Sequence, residues 1–200
     1  MLKKINYFFQ TILIYIFFLI GRVLGIKISR KIFSSLFFYL GPLFKSKKII
    51  KNNIKTYSQN ISKLDEEKII KNMWKNYGMT FIEYIFLDYY KKKNSHVIID
   101  GENNLLNLIK KNKPVIFISG HFANFELMSM EISKKGIPLA AIYRPLNNLF
   151  LNPLMEYLRK KFVCKNQIKK GINGVREAIG FIKKKHSVAI MIDQRVSEGE

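Results

Sequence analysis

The sequence predicts an α/β fold in which a largely parallel sheet is flanked by helices, with an N-terminal helical segment that anchors the chain to a membrane. Short apolar runs in the second half of the chain alternate with stretches that have helical spacing. The first 24 residues, by contrast, are almost continuously apolar. With 200 residues, 48% of them hydrophobic, the chain can form one full core in addition to such a segment.

The apolar N-terminal stretch runs from Ile5 to Leu24 and is interrupted chiefly by four polar residues, Asn6, Gln10, Thr11 and Arg22. Its length is close to the roughly 20 residues that cross a bilayer. Because no small-residue cleavage site follows it, an uncleaved anchor is favoured over a signal peptide. Basic residues are more numerous after the stretch than before it, which predicts that the bulk of the chain is cytoplasmic.

A second apolar stretch covers residues 31 to 44 and carries the pair Gly41-Pro42 near its end. It is too short to span a bilayer easily, so it is either an interfacial helix lying against the membrane or an ordinary core helix. The lysine-rich stretch from 45 to 55 would then lie near anionic headgroups. We therefore divide the chain into a membrane anchor with an interfacial helix, 1–45, and an α/β domain, 46–200.

The remaining elements follow from periodicity. Residues 65 to 90 open with acidic residues and then repeat apolar residues at helical spacing, which predicts a helix with Trp74 in the core. Apolar runs at 96–100, 114–120, 138–143 and 186–193 predict buried strands, and the stretches between them predict helices at about 102–112, 124–135, 148–162 and 173–185. Since the chain stops at "DQRVSEGE", just after the last of these strands, we interpret it as a fragment whose C-terminal part is missing.

The formal net charge of +21 predicts attraction to something anionic, whether nucleic acid, anionic phospholipid, a phosphorylated substrate or an acidic protein. Part of this excess reflects a sequence that is generally rich in Lys, Ile and Asn. Cys164 is the single cysteine, which rules out an intrachain disulfide and a metal site built on cysteines. We interpret it as a small buried apolar residue, and the sequence predicts no metal site.

Polar residues follow three of the predicted strands. His121 follows "VIFIS", Arg144 follows "LAAIY", and Asp193 with Gln194 follows "SVAIMI". If these strands are parallel and adjacent, their carboxyl ends share one rim, which is where ligands bind in open parallel sheets. The three groups are therefore candidate site residues despite their separation in the sequence.

The stretch "SGHFANFEL" supplies a candidate base. Asn124 is a good N-cap residue, which would place Glu126 in the first helical turn and let the preceding turn carry His121 back to it. A carboxylate on one imidazole nitrogen fixes the tautomer and leaves the other nitrogen to accept a hydroxyl proton. The competing interpretation is a histidine that only caps a loop or satisfies a core hydrogen bond. His96 and His186 precede apolar runs instead of following them, so we expect both to be structural.

Three segments, "SGHFANFE", "AIYRPLNN" and "GINGVREAIGFIKKKHSVAIMIDQR", together resemble the lipid A biosynthesis acyltransferases. These are the lauroyl and myristoyl transferases of the lysophospholipid acyltransferase superfamily. The resemblance implies transfer of a fatty acyl group from acyl carrier protein, or sometimes coenzyme A, to a hydroxyl of a phosphorylated, acylated glucosamine disaccharide. It implies no cofactor besides that donor, and a place at the bacterial inner membrane with the catalytic domain on the cytoplasmic side.

The resemblance also implies a role for each motif residue. His121 deprotonates the acceptor hydroxyl, and Glu126 orients and supports His121, so that the hydroxyl attacks the thioester directly without an acyl-enzyme. Arg144 stabilises the developing oxyanion or binds a phosphate. Asp193 and Gln194 match the Asp-Gln block of the family and are assigned to substrate binding.

Two features depart from the family pattern. Relatives often have Gly-Asn-Trp-Glu where this chain has "ANFE", although the aromatic and the acid are kept. The family also continues beyond the Asp-Gln block with further helices, so we expect part of the acyl pocket to be absent.

Alternative functions remain open. A glycerolipid acyltransferase of the same superfamily usually carries Asp at the acidic position and a later Glu-Gly-Thr-Arg block, unlike this chain. A mannoside or aminolipid acyltransferase shares the His-to-Glu motif. A membrane-tethered nucleic-acid-binding protein would explain the charge, but it needs aromatic and basic residues interleaved on a surface, whereas the aromatics here concentrate in the anchor and on helical stripes.

The expected partners are acyl carrier protein, the lipid A precursor and an anionic membrane, with no nucleic acid. All three are anionic, which suits a basic surface. The candidate contact stretches are the lysine-rich residues 45–55 and 91–93.

Overall fold

The structure of the chain, a computed structural model, describes residues 2–43, 47–92, 96–111 and 113–193. The chain divides into two compact units, Met1–Ile14 with Leu87–Glu200, and Tyr15–Phe86. The sequence-based division into a membrane anchor, 1–45, and an α/β domain, 46–200, describes membrane attachment and not compactness. It stays a prediction. Gln194 lies outside the described residues, as do Lys45 and Lys93.

The N-terminal helix α1 covers Leu2–Leu40 and is followed by a 3-10 turn at Gly41–Leu43. Gly25 interrupts its helical geometry with φ 75° and ψ 164°, a conformation that glycine adopts without the steric cost of a Cβ. Among the described residues, Leu2–Leu43 is the one stretch of helix long and apolar enough to cross a membrane. Several of its apolar side chains are exposed, among them Phe9, Leu19 and Val23.

The unit Tyr15–Phe86 is helical and contains α2 (Lys47–Tyr57), α3 (Lys63–Glu83) and a 3-10 turn at Tyr84–Phe86. Phe33 of α1 is 2% exposed, and its ring lies 5.9 Å from that of Phe81. Gly78 permits this packing, because a Cβ at that position would lie 2.1 Å from the Phe33 carbonyl oxygen. Phe33 therefore belongs to the protein core, which agrees with the interpretation of the stretch 31–44 as a core helix.

Trp74 is buried, as the helical spacing predicted. A Cβ on Gly41 would lie 2.3 Å from the Trp74 ring, so the indole packs directly on the backbone of the turn that follows α1. The predicted long helix is observed as α3, the 3-10 turn and a further short helix, α4 (Leu87–Lys92).

The other unit carries a sheet of four strands, β1 (Ile116–Ser119), β2 (Leu139–Tyr143), β3 (Asn166–Lys169) and β4 (Ser187–Met191). Their order is β1-β4-β2-β3, and every pair of neighbours is parallel. The predicted parallel α/β fold is thereby confirmed.

Besides α4, the described residues of this unit form four helices after Lys92: α5 (Glu102–Lys111), α6 (Glu126–Lys134), α7 (Asn152–Leu158) and α8 (Ile172–Lys183). The last turn of α7 continues as a π-helical turn at Arg159–Val163. Alternate residues of β2, β3 and β4 form a core with α8 that contains Ala140, Ile168, Val188 and Ala178. On the same sheet face, Ile116 and Ile118 of the edge strand β1 are 60% and 63% exposed.

One predicted strand is absent from the described residues, and one observed strand was not predicted. Residues 96–100 form an irregular connection in which Ile98 is 98% exposed, because an apolar run signals burial without ensuring that a partner strand is within reach. The observed strand β3 was missed because only Ile168 of its four residues is apolar. Its backbone pairs with β2 at the sheet edge, a contact that leaves little hydrophobic signal.

Candidate functional site

The strand order sets the order of polar groups along the carboxyl rim of the sheet. Because β4 pairs with β1, Asp193 after β4 comes to lie beside His121 after β1. Arg144 follows β2, on the other side of β4. His121, Arg144 and Asp193 share one rim, as the sequence predicted. Which of them are neighbours depends on the strand order, which the sequence did not reveal.

His121 is held by both oxygens of the Asp193 carboxylate. The imidazole Nδ1 lies 2.7 Å from Oδ1, and the backbone N–H of His121 donates to Oδ2 at 2.7 Å. Gly120 leaves room for this carboxylate, because a Cβ there would lie 3.2 Å from Oδ2. The ring of Phe125 packs edge-on against the imidazole with centroids 4.5 Å apart. The imidazole is thus fixed on one nitrogen and packed on one side.

The protonation of Asp193 follows from these contacts. Partial burial acts to raise its pKa, but the backbone and side-chain hydrogen bonds from His121 and the charge of that ring together hold the pKa below its ordinary value of 3.8. An ionised carboxylate only accepts hydrogen bonds, so Nδ1 of His121 is the donor. In the neutral form of this imidazole, Nε2 carries the lone pair that a general base requires.

Glu126 lies at the start of α6 and is buried against a residue that the sequence analysis did not select. Its Oε1 accepts a hydrogen bond from Nε of Arg159 at 2.7 Å, and both side chains are about nine-tenths buried. Arg159 opens the π-helical turn after α7, so the ion pair joins two elements. The predicted support of His121 by Glu126 stays a prediction. The structure shows two contacts that were not predicted: Asp193 binds His121, and Arg159 forms an ion pair with Glu126.

The turn between β1 and α6 differs from the predicted one. The helix begins at Glu126 with Phe125 as its N-cap residue, and no side chain caps it, so the assignment of Asn124 as the N-cap is wrong. The reason is the tight turn before it: the N–H of Phe122 donates to the Gly120 carbonyl, and Ala123 adopts a positive φ of 44°. Asn124 contributes its carbonyl, which accepts from the N–H of Leu127.

Comparison with known proteins identifies the family. The chain matches the profile described as "Bacterial lipid A biosynthesis acyltransferase" over residues 2–200. It belongs to this family. No curated protein sequence matches the chain. The resemblance drawn from the three sequence segments is therefore confirmed, and membership makes this chain a lipid A-type acyltransferase.

In this acyltransferase a network of polar side chains supports the segment "AIYRPLNN", which carries Arg144. The Tyr143 hydroxyl donates to Glu156 at 2.7 Å, and the Asn152 amide donates to the same carboxylate oxygen at 2.8 Å. The Asn152 side-chain oxygen in turn accepts from the backbone N–H of Leu146 at 2.8 Å. Burial and the bond to Glu156 raise the pKa of the Tyr143 hydroxyl, which keeps it protonated as the donor. The network holds the loop that carries Arg144.

Arg144 is exposed and lines a cleft of about 850 Å³. The other lining residues among those described come from the loop after β2, from β3, from the connection that follows β3 and from the start of α8, and they include Lys169 and Lys170. Neither lysine was selected from the sequence, because the strand that ends with Lys169 was not recognised. The Gly171 that follows, with φ 126°, was the available signal that an element ends there.

The remaining candidates have structural positions. Cys164 of the acyltransferase is buried, its thiol donates to the Leu139 carbonyl, and burial raises its pKa, in agreement with a core role. His96 packs against the Tyr90 ring with centroids 4.7 Å apart, and burial lowers its pKa. His186 precedes β4 and therefore lies at the opposite edge of the sheet from the rim.

Proposed function

We propose that this acyltransferase moves a fatty acyl group from acyl carrier protein, or from coenzyme A, to a hydroxyl of a phosphorylated, acylated glucosamine disaccharide in lipid A biosynthesis. The observation that carries the proposal is the imidazole of His121, fixed by the ionised Asp193 at the carboxyl rim of a parallel sheet in a chain of this family. In this proposal the motif supplies the base, and a hydroxyl of the acceptor substrate is the nucleophile.

The proposed reaction is a single acyl transfer. Nε2 of His121 accepts the proton of the acceptor hydroxyl while the hydroxyl oxygen attacks the thioester carbonyl carbon. The carbon–sulfur bond breaks when the tetrahedral intermediate collapses, and the imidazolium returns its proton to the leaving thiolate. Asp193 stabilises the imidazolium through its negative charge and holds the tautomer that presents Nε2.

Glu126 acts in this proposal through the backbone that it anchors. Its buried ion pair with Arg159 fixes the first turn of α6, and the adjacent Phe125 packs against the imidazole. Arg159 is therefore a positioning residue. Neither Glu126 nor Arg159 needs to exchange a proton during the reaction.

We place the enzyme at the bacterial inner membrane with its catalytic unit on the cytoplasmic side. The support is the apolar helix α1 with its exposed side chains, together with the excess of basic residues after the first 21. The anionic membrane, acyl carrier protein and the phosphorylated acceptor are the proposed partners, and the charge of +21 favours all three.

The test uses the full chain in non-ionic detergent micelles with mass spectrometry of the products. Acyl carrier protein and coenzyme A thioesters are offered in turn with three acceptors: a phosphorylated acylated glucosamine disaccharide, a lysoglycerophospholipid and a mannolipid. We expect acylation of the disaccharide and a fall of about 10²- to 10⁴-fold in rate for His121→Ala. The matched control His186→Ala removes a histidine from the opposite edge of the sheet and should keep the rate.

Preferred acylation of the glycerolipid or the mannolipid would replace the proposed acceptor by one of the alternatives. Substantial turnover by a folded His121→Ala chain would refute the assignment of the base.

A further inference from the structure

Asn148 lies in the β2–α7 connection, residues 144–151, which begins with Arg144. It is only 9% exposed, and its side-chain Oδ1 accepts from the backbone N–H groups of Phe150 at 3.0 Å and Leu151 at 3.2 Å. Because a backbone N–H only donates, these two bonds identify the oxygen end of the amide and fix its orientation. The other end, Nδ2, is therefore a buried donor that needs an acceptor.

The acceptor lies on the N-terminal helix. Nδ2 of Asn148 donates to the Tyr7 carbonyl at 2.9 Å. Thr11, one helical turn later, is 5% exposed, and its Oγ1 lies 2.8 Å from the Tyr7 carbonyl oxygen and 3.1 Å from Oδ1 of Asn148. A hydroxyl has one proton, so Thr11 shares it between these two acceptors. Met1–Ile14 belongs to the same compact unit as Leu87–Glu200, so these bonds lie within one unit.

An apolar contact accompanies these hydrogen bonds. The ring of Phe8 packs edge-on against that of Phe150, with centroids 5.6 Å apart. Aromatic pairs of this geometry attract each other beyond the effect of the area that they bury. The β2–α7 connection is therefore attached to α1 by both polar and apolar side chains.

The attachment occupies one face of α1 and leaves another face exposed. At about 100° per residue, Phe9 and Leu13 lie roughly 160° around the helix from Thr11. Both are exposed, whereas Thr11 is buried. Burying a polar side chain costs free energy unless its hydrogen bonds are formed, and membrane attachment alone gives no reason for a buried threonine in an apolar helix. The buried face of α1 therefore serves the protein and the exposed face serves the membrane.

The β2–α7 connection carries a candidate site residue and needs to be held in place. A surface connection that is not held has many backbone conformations, and ordering it costs entropy. The Asn152 side chain holds the connection at the Leu146 N–H, and Asn148 holds it again further on. These two attachments, together with the end of β2, restrict the backbone that carries Arg144.

We propose that Asn148 is a positioning residue for acyl transfer, which places Arg144 by attaching the β2–α7 connection to α1. The helix α1 then has a second role besides membrane attachment, because its buried face is part of the framework of the active site. This inference rests on the proposed function for the reaction that Arg144 serves, and on the described hydrogen bonds alone for the attachment.

The first test changes the helix side and leaves the connection unchanged. Thr11→Val keeps the shape of the side chain and removes the hydroxyl, whereas Thr11→Ser keeps the hydroxyl. The full chain in non-ionic micelles is assayed for kcat and KM, and hydrogen exchange of the Phe150 and Leu151 amides is followed by NMR. We expect Thr11→Val to lower kcat/KM by roughly tenfold and to speed exchange at both amides, and Thr11→Ser to resemble the unmodified chain.

The second test removes the side chain that joins the two segments. Asn148→Ala should lower kcat/KM by roughly 100-fold, which is the effect of a displacement of about 1 Å arising away from the reacting atoms. The matched controls are Asn107→Ala on the exposed surface of α5, and Thr56→Val, which removes a hydroxyl bonded to the carbonyl four residues before it in α2. Both should keep the rate.

Two further measurements separate positioning from attachment to the membrane and from folding. All of these variants leave the exposed apolar face of α1 intact, so they should stay in the membrane pellet. Thermal unfolding verifies that each variant is folded.

The two proposals fail separately. If the unmodified chain acylates none of the acceptors, the proposed function fails, while faster amide exchange in Thr11→Val still supports the attachment. If the unmodified chain transfers acyl groups and a folded Asn148→Ala chain keeps its kcat/KM, the positioning role alone is overturned. Equal amide exchange in Thr11→Val and the unmodified chain, or a Thr11→Ser chain as slow as Thr11→Val, would also overturn it.

Discussion

His121 takes its carboxylate partner from a residue 72 positions later in the chain. The motif positions predict that both residues lie on one rim, but the family resemblance assigns the support of His121 to the nearby Glu126. Local spacing favours short-range partners, whereas parallel strands bring together residues that are remote in sequence. The contact between His121 and Asp193 is therefore a product of the β1–β4 pairing.

The substitution Asp193→Asn tests whether the contact between Asp193 and His121 contributes to the rate of acyl transfer. The amide keeps the size of the side chain but removes the charge that stabilises the imidazolium, so we expect kcat to fall by about 10²- to 10⁴-fold. The rate of acyl transfer measured against pH checks this result, with Asp100→Asn as the control for loss of an exposed aspartate. An unchanged kcat in Asp193→Asn would remove Asp193 from the mechanism.

The same variant has a consequence for stability. Because the pKa of Asp193 is lowered in the folded chain, its ionisation stabilises the fold above pH 3.8, and this contribution is lost as the pH falls through the folded pKa. Thermal unfolding should therefore show a lower Tm for Asp193→Asn at neutral pH, and the difference should shrink in acid. A difference that grows as the pH falls would contradict the assignment.

Ala123, in the turn between β1 and α6, has an unfavourable backbone conformation. Its φ of 44° lies in the left-handed region, which costs a residue with a Cβ about 1–2 kcal/mol relative to glycine. The strain belongs to the turn that carries His121 towards Asp193.

Ala123→Gly should raise the free energy of unfolding by about 0.5–1 kcal/mol, because relief of the strain exceeds the entropy that glycine adds to the unfolded chain. Chemical denaturation checks the change. The control is Ala178→Gly in the buried face of α8, which should lower stability by about 1 kcal/mol. A loss of stability in Ala123→Gly would contradict the strained turn.

At the scale of elements, two polar residues of the apolar helix α1, Thr11 and Arg22, make hydrogen bonds to other parts of the protein. Thr11 donates to the Asn148 side chain at 3.1 Å, and Asn148 donates to the Tyr7 carbonyl at 2.9 Å. Within the other unit, Arg22 donates to the Ile85 carbonyl at 2.9 Å. Packing thus explains the positions of Thr11 and Arg22, whereas Asn6 and Gln10 are exposed and Gln10 donates to the Asn6 side chain.

The ion pair between Glu126 and Arg159 joins α6 to the π-helical turn. We expect Arg159→Met to lower the free energy of unfolding by about 3–5 kcal/mol, because it leaves the buried Glu126 carboxylate without its partner. The double variant Glu126→Gln/Arg159→Met should lose less than the sum of the single variants. Urea unfolding of the three chains measures the coupling.

The control for this cycle is the exposed ion pair between Lys135 and Glu102. Lys135→Met should change the free energy of unfolding by less than about 1 kcal/mol, because solvent screens such pairs. Strict additivity of the Glu126 and Arg159 variants would show that the two side chains do not stabilise each other.

At the scale of the whole molecule, exposed apolar surface on α1 indicates membrane association. Phe9, Leu13 and Ile16 are exposed by 62%, 50% and 46%. Their replacement by glutamine removes apolar area that would otherwise be buried in lipid, so the triple variant should pass from the membrane pellet to the supernatant of cells. Retention of the unmodified chain in the pellet at high salt should show that charge alone does not hold it.

The matched control places three glutamines on α8, where Ile172, Val175 and Ile179 are similarly exposed. This chain should stay in the membrane pellet. Release of both triple variants would indicate a general loss of folding, and retention of both would contradict the role of α1.

The sequence by itself determined the α/β fold, most helix positions, three of the four strands and the rim that carries His121, Arg144 and Asp193. These follow from periodicity and from the rule that parallel strands end at one edge, both of which are local or general. The tertiary structure alone decided the strand order and the contacts that come with it: His121 with Asp193, Glu126 with Arg159, and the cleft that Arg144 shares with Lys169 and Lys170. Strand order depends on how all of the apolar faces of the chain are buried together, so no single stretch of sequence encodes it.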